Sequence, residues 1–332
     1  MDRTSLVKKR IDYFDMAKGA GMLLVLIGHL QGDEIFKLSP YILPVCEWIF
    51  SFHMPLFFIV SGMLINYKGD ADKDLKGLIK KRFKGIMIPY LWFSLFYFSI
   101  VIYAFMTGSV MKETLFVNLW YVVSMYGMNV LWFLPCIFMA EIMFLFILQR
   151  SGNKMAAVIS VLITTTASLI NLYISGLDME SYYASRLREL AITVLRPMHA
   201  LIFVAIGYYV YFLFRENEKI SVKELFIGVV LMAAGILFVH VNHGVDLRSL
   251  IQKNYFFYYL CALCGSLGLI LICKNIRSFK IIKYWGRNSL IFMAVHNSKT
   301  VLYLGMMLAM YVNRFTVRAK GYISYADRKS VV

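Results

Sequence analysis

Apolar residues dominate long stretches of this chain, and polar residues punctuate them at short intervals. Runs of about 20 mostly apolar residues have the length that crosses a bilayer as a helix. They place nine spans at about 14–31, 48–67, 86–105, 130–149, 155–175, 194–214, 223–241, 255–273 and 289–311. A further stretch, 115–127, is apolar but shorter, which fits an interfacial or re-entrant piece or the first half of a broken helix. The longest loop, 66–85, is rich in Gly, Asp and Lys and too short to fold alone. No internal repeat is visible. The pattern predicts an all-α fold, a polytopic transmembrane bundle of about nine to ten spans. One integral membrane domain covers 1–332, with a basic N-terminus over 1–13 and a polar tail from about 313.

Composition agrees. Hydrophobic residues make up 60% of the chain and charged residues 16%, against roughly 45–50% apolar in soluble domains. The net charge of +16 does not imply a nucleic-acid partner, because the basic residues sit in short loops between apolar runs. With a cytoplasmic N-terminus, segments 1–18, 66–85, 149–155, 215–224 and 274–287 face inward and hold 22 basic residues. The outer loops hold seven: Lys37, Lys112, Arg186, Arg188, Arg196, Arg248 and Lys253. That asymmetry predicts a multi-pass protein of the cell (cytoplasmic, inner) membrane with its N-terminus in the cytoplasm. The basic tail after Asn313 falls on the wrong side, so either a span is miscounted, as at 115–127, or the tail is unusual. Lys8-Lys9-Arg10 precedes the first run without a small-residue cleavage site, which reads as a retained signal anchor. Five scattered cysteines, including Cys261 and Cys264 one helical turn apart, read as small buried residues, and no metal site is expected.

Ionisable groups inside apolar runs cost roughly 2.5–3.5 kcal/mol at the bilayer centre on insertion scales, so they are candidates for function. Lys18 and His29 lie in the first run, eleven residues and roughly 16 Å apart on a helix, with Asp15 one turn before Lys18. His29, His53, His199, His240 and His243 fall in the outer half, and His296 nearer the middle of the ninth run. Pro55 predicts a kink that frees the Ser51 carbonyl beside His53. Ser61-Gly62 permits close helix approach, and Glu141, inside the fourth run, must pair or be protonated. Lys80-Lys81-Arg82-Phe83-Lys84 precedes the third run and reads either as topogenic charge or as a phosphate site, with Lys18 at similar depth.

Several of these segments together resemble the acyltransferase 3 family of integral membrane acyltransferases, most closely its fucose-4-O-acetylase-like branch. They are Arg10-Ile-Asp12-Tyr-Phe-Asp15-Met-Ala-Lys18 with Gly28-His29, Phe52-His53-Met-Pro-Leu-Phe-Phe-Ile-Val-Ser61-Gly62, and Lys81-Arg82-Phe-Lys84 with Pro89-Tyr90. Leu131-Trp132-Phe133-Leu134 with Glu141, and Gly286-Arg-Asn288-Ser289 with His296, complete the set. The family's Arg-x10-His pattern falls on Lys18 and His29, and lysine at that place is usual for the branch. Its Arg-x-x-Arg pattern falls on Lys81 and Lys84, which keeps charge without the guanidinium fork. The family's C-terminal continuation is not evident, as if a final span were missing.

The resemblance implies transfer of an acyl group, usually acetyl from acetyl-CoA, to a hydroxyl of an extracytoplasmic sugar, polysaccharide or similar acceptor, with no metal. Lys18, Lys81, Arg82 and Lys84 would hold the donor. His29 would be the general base, with His53 second to it and Asp15 orienting Lys18 or a neighbouring cation. Glu141, Trp132, Asn288 and His296 are further site positions, His53 and Asn288 as candidate oxyanion donors. Membrane lipid and the sugar acceptor would be its partners. A polytopic exporter of a sugar or lipid-linked intermediate is the competing class, since kinked spans and intramembrane histidines suit transport too. A membrane protein that binds or senses without catalysis is a third.

Overall fold

The computed structural model describes residues 10–29, 42–177, 181–215, 220–239, 241 and 244–296. His240, His243, the tail and most of the predicted ninth span lie outside these residues. The described residues form helices and a single isolated β-bridge between Asp246 and Ile251. In chain order the helices are α1 (Asp12–His29), α2 (Ile42–Lys68), α3 (Leu75–Arg82), α4 (Ile88–Met106), α5 (Lys112–Val123) and α6 (Phe133–Ser175). They continue as α7 (Tyr182–Arg215), α8 (Val222–Val239), α9 (Tyr255–Asn275), α10 (Lys280–Arg287) and α11 (Ser289–Val295). Two compact units divide the chain, Met1–Ser289 and Leu290–Val332. Only residues 290–296 of the second are described.

Among the described residues, six helical stretches are long and apolar enough to cross a membrane: Pro44–Lys68, Leu75–Met106, Asn129–Ser175, Tyr182–Phe214, Val222–Val239 and Tyr255–Asn275. Nine spans were expected, and three differences account for the gap. The predicted spans 130–149 and 155–175 are the two helical arms of α6, which meet at a break at Gly152, whose non-helical backbone (φ 73°, ψ 172°) glycine adopts without the strain a Cβ would bring, so one apolar stretch holds two expected spans. The expected loop 149–155 shrinks to that break. Helix α1 carries Asp12, Asp15 and Lys18 in its first two turns and is not one of the six. The run 289–311 begins with the short α11 and then leaves the described residues.

Other elements refine the expected pattern. Segment 115–127 forms α5, twelve residues long, ending in a tight region with positive φ at Met125, Gly127 and Asn129. A helix that short does not span a bilayer, which needs about 20 residues. The basic run before the third span is helical, not loop. α3 passes into α4 through a π-helical turn, Phe83–Met87. The cause is local: Pro89 has no N–H to give the Gly85 carbonyl and its ring crowds that carbonyl, so the backbone widens by a residue.

Helix α2 is the centre of the first unit. Its most apolar window is 78% buried, against 22% in the stretch containing α4 and 17% in α8. It packs on α1, α7 and α9. The expected packing role of Ser61-Gly62 is seen at the α2–α7 crossing, where a Cβ on Gly62 would meet the Val204 backbone carbonyl and one on Gly207 would meet that of Ile59. Two backbones in contact leave no room for side chains, the small-residue solution of membrane bundles. The outer helices turn apolar side chains outward, including Trp92, Leu95 and Tyr103 of α4 and Phe226 and Leu237 of α8. Such a belt is costly in water and at rest in hydrocarbon.

Candidate functional site

The first turns of α1 gather charge. Asp12 and Asp15 lie where the helix N-terminus favours carboxylates. The Asp15 side chain is 3% exposed. Its carboxylate accepts from Arg10 through Nε at 2.6 Å and through a terminal nitrogen at 3.1 Å, a two-pronged contact. It also pairs with Lys18 Nζ at 3.2 Å and accepts from Arg287 Nε at 3.2 Å. Asp15 and Lys18 are therefore brought together as the i, i+3 spacing predicts. Arg10 and Arg287 were missed as partners. Arg10 precedes the helix, where periodicity carries no signal. Arg287 arrives from α10, 272 residues away, in a motif read for Asn288 instead. α10 reaches α1 because a Cβ on Gly286 would strike the Asp15 carbonyl and one on Gly19 the Ile282 carbonyl. Asn288 sits at the end of α10, where its amide donates to the Tyr284 carbonyl at 2.9 Å.

A second charged group joins α2, α3 and α6. Glu141 accepts from the Ser61 hydroxyl and from Arg82 Nε, so the carboxylate inside the apolar helix is paired, as burial requires. The same guanidinium donates to Asp70 at 3.1 Å, and Lys73 pairs with Asp70 at 2.7 Å. Asp70 lies outside the membrane-crossing stretches. Burial pushes its carboxyl up, but the bonds from Lys73 and Arg82 prevail and hold it below the usual carboxylate range. Lys81 and Lys84 are exposed. Of the four cations expected to hold a donor, Lys18 is bound into the Asp15 group and Arg82 into the Asp70–Glu141 group. No hydrogen bond or ion pair joins the two groups among the described residues.

At the opposite end of α1, His29 meets Phe50 of α2 edge-on at 5.6 Å, and Phe50 meets His53 edge-on at 5.1 Å. The two imidazoles thus flank one ring. His53 is buried, and its Nδ1 lies 2.8 Å from the Ile49 carbonyl of its own helix. A carbonyl only accepts, so Nδ1 carries the proton and Nε2 is the basic nitrogen of the neutral ring.

Trp132, which immediately precedes α6, is buried, and its ring lies 5.2 Å from the guanidinium of Arg196. Arg196 corrects an expectation: it was counted as an outer-loop charge, but it sits within α7 and is 1% exposed. It donates to the Arg248 carbonyl at 2.6 Å and the Tyr126 carbonyl at 2.8 Å, and it lies 4.4 Å from the Tyr126 ring. Carbonyl oxygens and aromatic faces replace a carboxylate there. One turn on, His199 is fully buried, with Nδ1 3.2 Å from the Tyr259 hydroxyl and its ring stacked on Tyr255. The signal for both was a polar residue inside an apolar run, but a lone cation at a run's edge reads equally as topogenic. His296 belongs to the second unit, where its Nδ1 lies 2.7 Å from the Met293 carbonyl. No group of three or more His, Cys, Asp or Glu is placed to hold a metal ion among the described residues.

Comparison with known proteins bears on this arrangement. The family model described as an acyltransferase domain, acyltransferase 3, matches residues 11–324. Nodulation protein NolL of Mesorhizobium japonicum is 49% identical over 57 residues, which is 15% of this chain and 14% of that protein. The chain therefore covers about one seventh of the length of that relative. No solved structure matches.

Proposed function

The chain belongs to the acyltransferase 3 family and is a multi-pass membrane acyltransferase, and on that premise we propose that it moves an acetyl group from acetyl-CoA to a hydroxyl of an extracytoplasmic sugar or polysaccharide. The observation that carries this reading is the polarity of α1. A cation group around Asp15 and Lys18 occupies one end, and the His29–Phe50–His53 group occupies the other. Eleven residues of helix separate Lys18 from His29, roughly 16 Å. A thioester carried on a long flexible arm, anchored by its phosphates at the first group, bridges that interval.

In the proposed reaction, His29 accepts the proton of the acceptor hydroxyl as its oxygen attacks the thioester carbonyl. The carbonyl π electrons move to oxygen, giving a tetrahedral oxyanion. Collapse re-forms the carbonyl, breaks the C–S bond and expels the thiolate, which takes the proton from the His29 imidazolium. The ester and free CoA are the products, and no net proton is consumed. Lys18 positions the donor with Asp15 holding its ammonium in place, and exposed Lys81 and Lys84 add charge for the donor's phosphates. Nine spans, a cytoplasmic N-terminus and an inner-membrane location complete the reading, supported by the distribution of basic residues.

The test is acetyl-CoA binding by the purified protein, followed by mass spectrometry of surface glycans from cells with and without it. Binding together with a protein-dependent acetyl increment on a glycan is the expected result. Normal insertion with neither would overturn the reading.

A further inference from the structure

Helix α10 places Lys280, Lys283 and Arg287 on one face, at i, i+3 and i+7. The opposite face is seated on α1, where Ile282 meets Gly19 and Gly286 meets Asp15. Between the basic side chains lies an open hollow of about 490 Å³, lined by Lys280, Ile281, Lys283, Tyr284 and Arg287. Its cations are only partly neutralised. Lys283 pairs with Asp12 at 2.7 Å and Arg287 with Asp15 at 3.2 Å, while Lys280 is exposed and has no carboxylate within ion-pair distance among the described residues. Arg10, Lys18, Lys280, Lys283 and Arg287 are five cations around two carboxylates. Arg287 contacts Asp15 through Nε, which leaves its terminal nitrogens to act as donors, and its side chain is 47% exposed.

We propose that the α10 hollow is a phosphate-binding site. An open surface with a lysine, a phenol and a guanidinium edge around an excess of positive charge matches a compact polyanion with several acceptor oxygens. A lone exposed ion pair would give no such excess. Two sources share this chemistry: the phosphorylated nucleotide end of acyl-CoA, and the headgroup of an anionic phospholipid. The first rests on the proposed donor and places its nucleotide beside the Asp15 group. The second is independent of it. Neither was legible from the basic-residue counts, which scored Lys280, Lys283 and Arg287 as topogenic charge.

The experiment uses the full chain in phosphatidylcholine nanodiscs and compares wild type with Lys280→Gln and Lys280→Glu. Lys280 makes no ion pair among the described residues, so neither variant removes one of those partners from the fold. CoA, 3′-dephospho-CoA and radiolabelled phosphatidylglycerol are the probes. For the nucleotide source, CoA binding falls about 10-fold in Lys280→Gln and further in Lys280→Glu, as for lost charge-assisted contacts. Wild type then loses a similar factor with 3′-dephospho-CoA, and the two losses do not add. For the lipid source, CoA binding is unchanged and phosphatidylglycerol retention falls by a similar factor in both variants. Should wild type bind no CoA while lipid retention depends on Lys280, the donor reading fails and the phosphate site stands. Unchanged binding of every probe in both variants overturns the site.

Discussion

Asp15 holds three cations, and that makes it the most sensitive residue at its end of α1. In Asp15→Asn, Arg10, Lys18 and Arg287 lose their shared counter-charge, and Lys18 is left facing two guanidinium groups. Donor affinity measured by equilibrium binding is expected to fall about 10-fold or more, the scale of one to two charge-assisted contacts. Donor affinity at wild-type level in folded Asp15→Asn would remove the positioning role. Arg82 calls for a different expectation than its sequence position suggests. Its guanidinium is tied to Glu141 and Asp70, so Arg82→Gln strands a buried carboxylate at a cost of about 3–5 kcal/mol. Thermal melts in detergent should show that loss, largely recovered in Arg82→Gln/Glu141→Gln, where both charges are gone. Lys81→Gln/Lys84→Gln, by contrast, should leave the melt unchanged and weaken acetyl-CoA binding, because both side chains are exposed. Asp70 adds a pH dependence. Its folded carboxyl lies below the usual range, so its stabilising effect is complete at neutral pH and is lost as pH falls through that lowered value. Asp70→Asn should therefore melt earlier than wild type at pH 7, with the difference shrinking as the buffer is made acidic enough to protonate the folded carboxylate. A difference that does not shrink would locate the effect in packing rather than charge.

Helix contacts set where these residues meet. The α1–α10 seat has no room at Gly286, so Gly286→Val must push α10 away from the Asp15 carbonyl and take Arg287 with it. Overpacking of this kind costs about 1–3 kcal/mol or more. Gly286→Val is expected to melt earlier and to lose donor affinity together, whereas Gly62→Val at the α2–α7 crossing should lower the melt through packing alone. Equal donor losses in the two variants would break the link between α10 and the donor. Most helices were legible as apolar runs, because lipid-facing and core positions are both apolar and the run length alone marks a span. Their ends were less so. Gly152 alone breaks α6 where a basic pair read as a longer loop, and Pro89 converts an expected loop–helix boundary into a π-helical turn. Within the site, Asp15–Lys18 was legible because helical spacing dictates it. Arg287–Asp15 and Arg82–Glu141 join residues 272 and 59 positions apart, and no local pattern encodes such pairs.

The first unit is a helix bundle built around α2, with α1 carrying a cation group at one end and two imidazoles around Phe50 at the other. In the proposed orientation the cation end lies in the cytoplasm, so a cysteine introduced at the exposed Gly77 should resist a membrane-impermeant reagent in intact cells and react in inverted membranes. The central claim is that an acyl group enters at the Lys18 end and leaves at the His29 end. Sealed membrane vesicles that retain their own glycans test it most directly, with labelled acetyl-CoA supplied from outside. Inside-out vesicles should transfer label to a glycan and right-side-out vesicles should not. His29→Ala should cut transfer by about 10²–10⁴-fold while leaving acetyl-CoA binding nearly intact, as for loss of a general base. Transfer by right-side-out vesicles, or a near-normal rate in His29→Ala, would contradict the account.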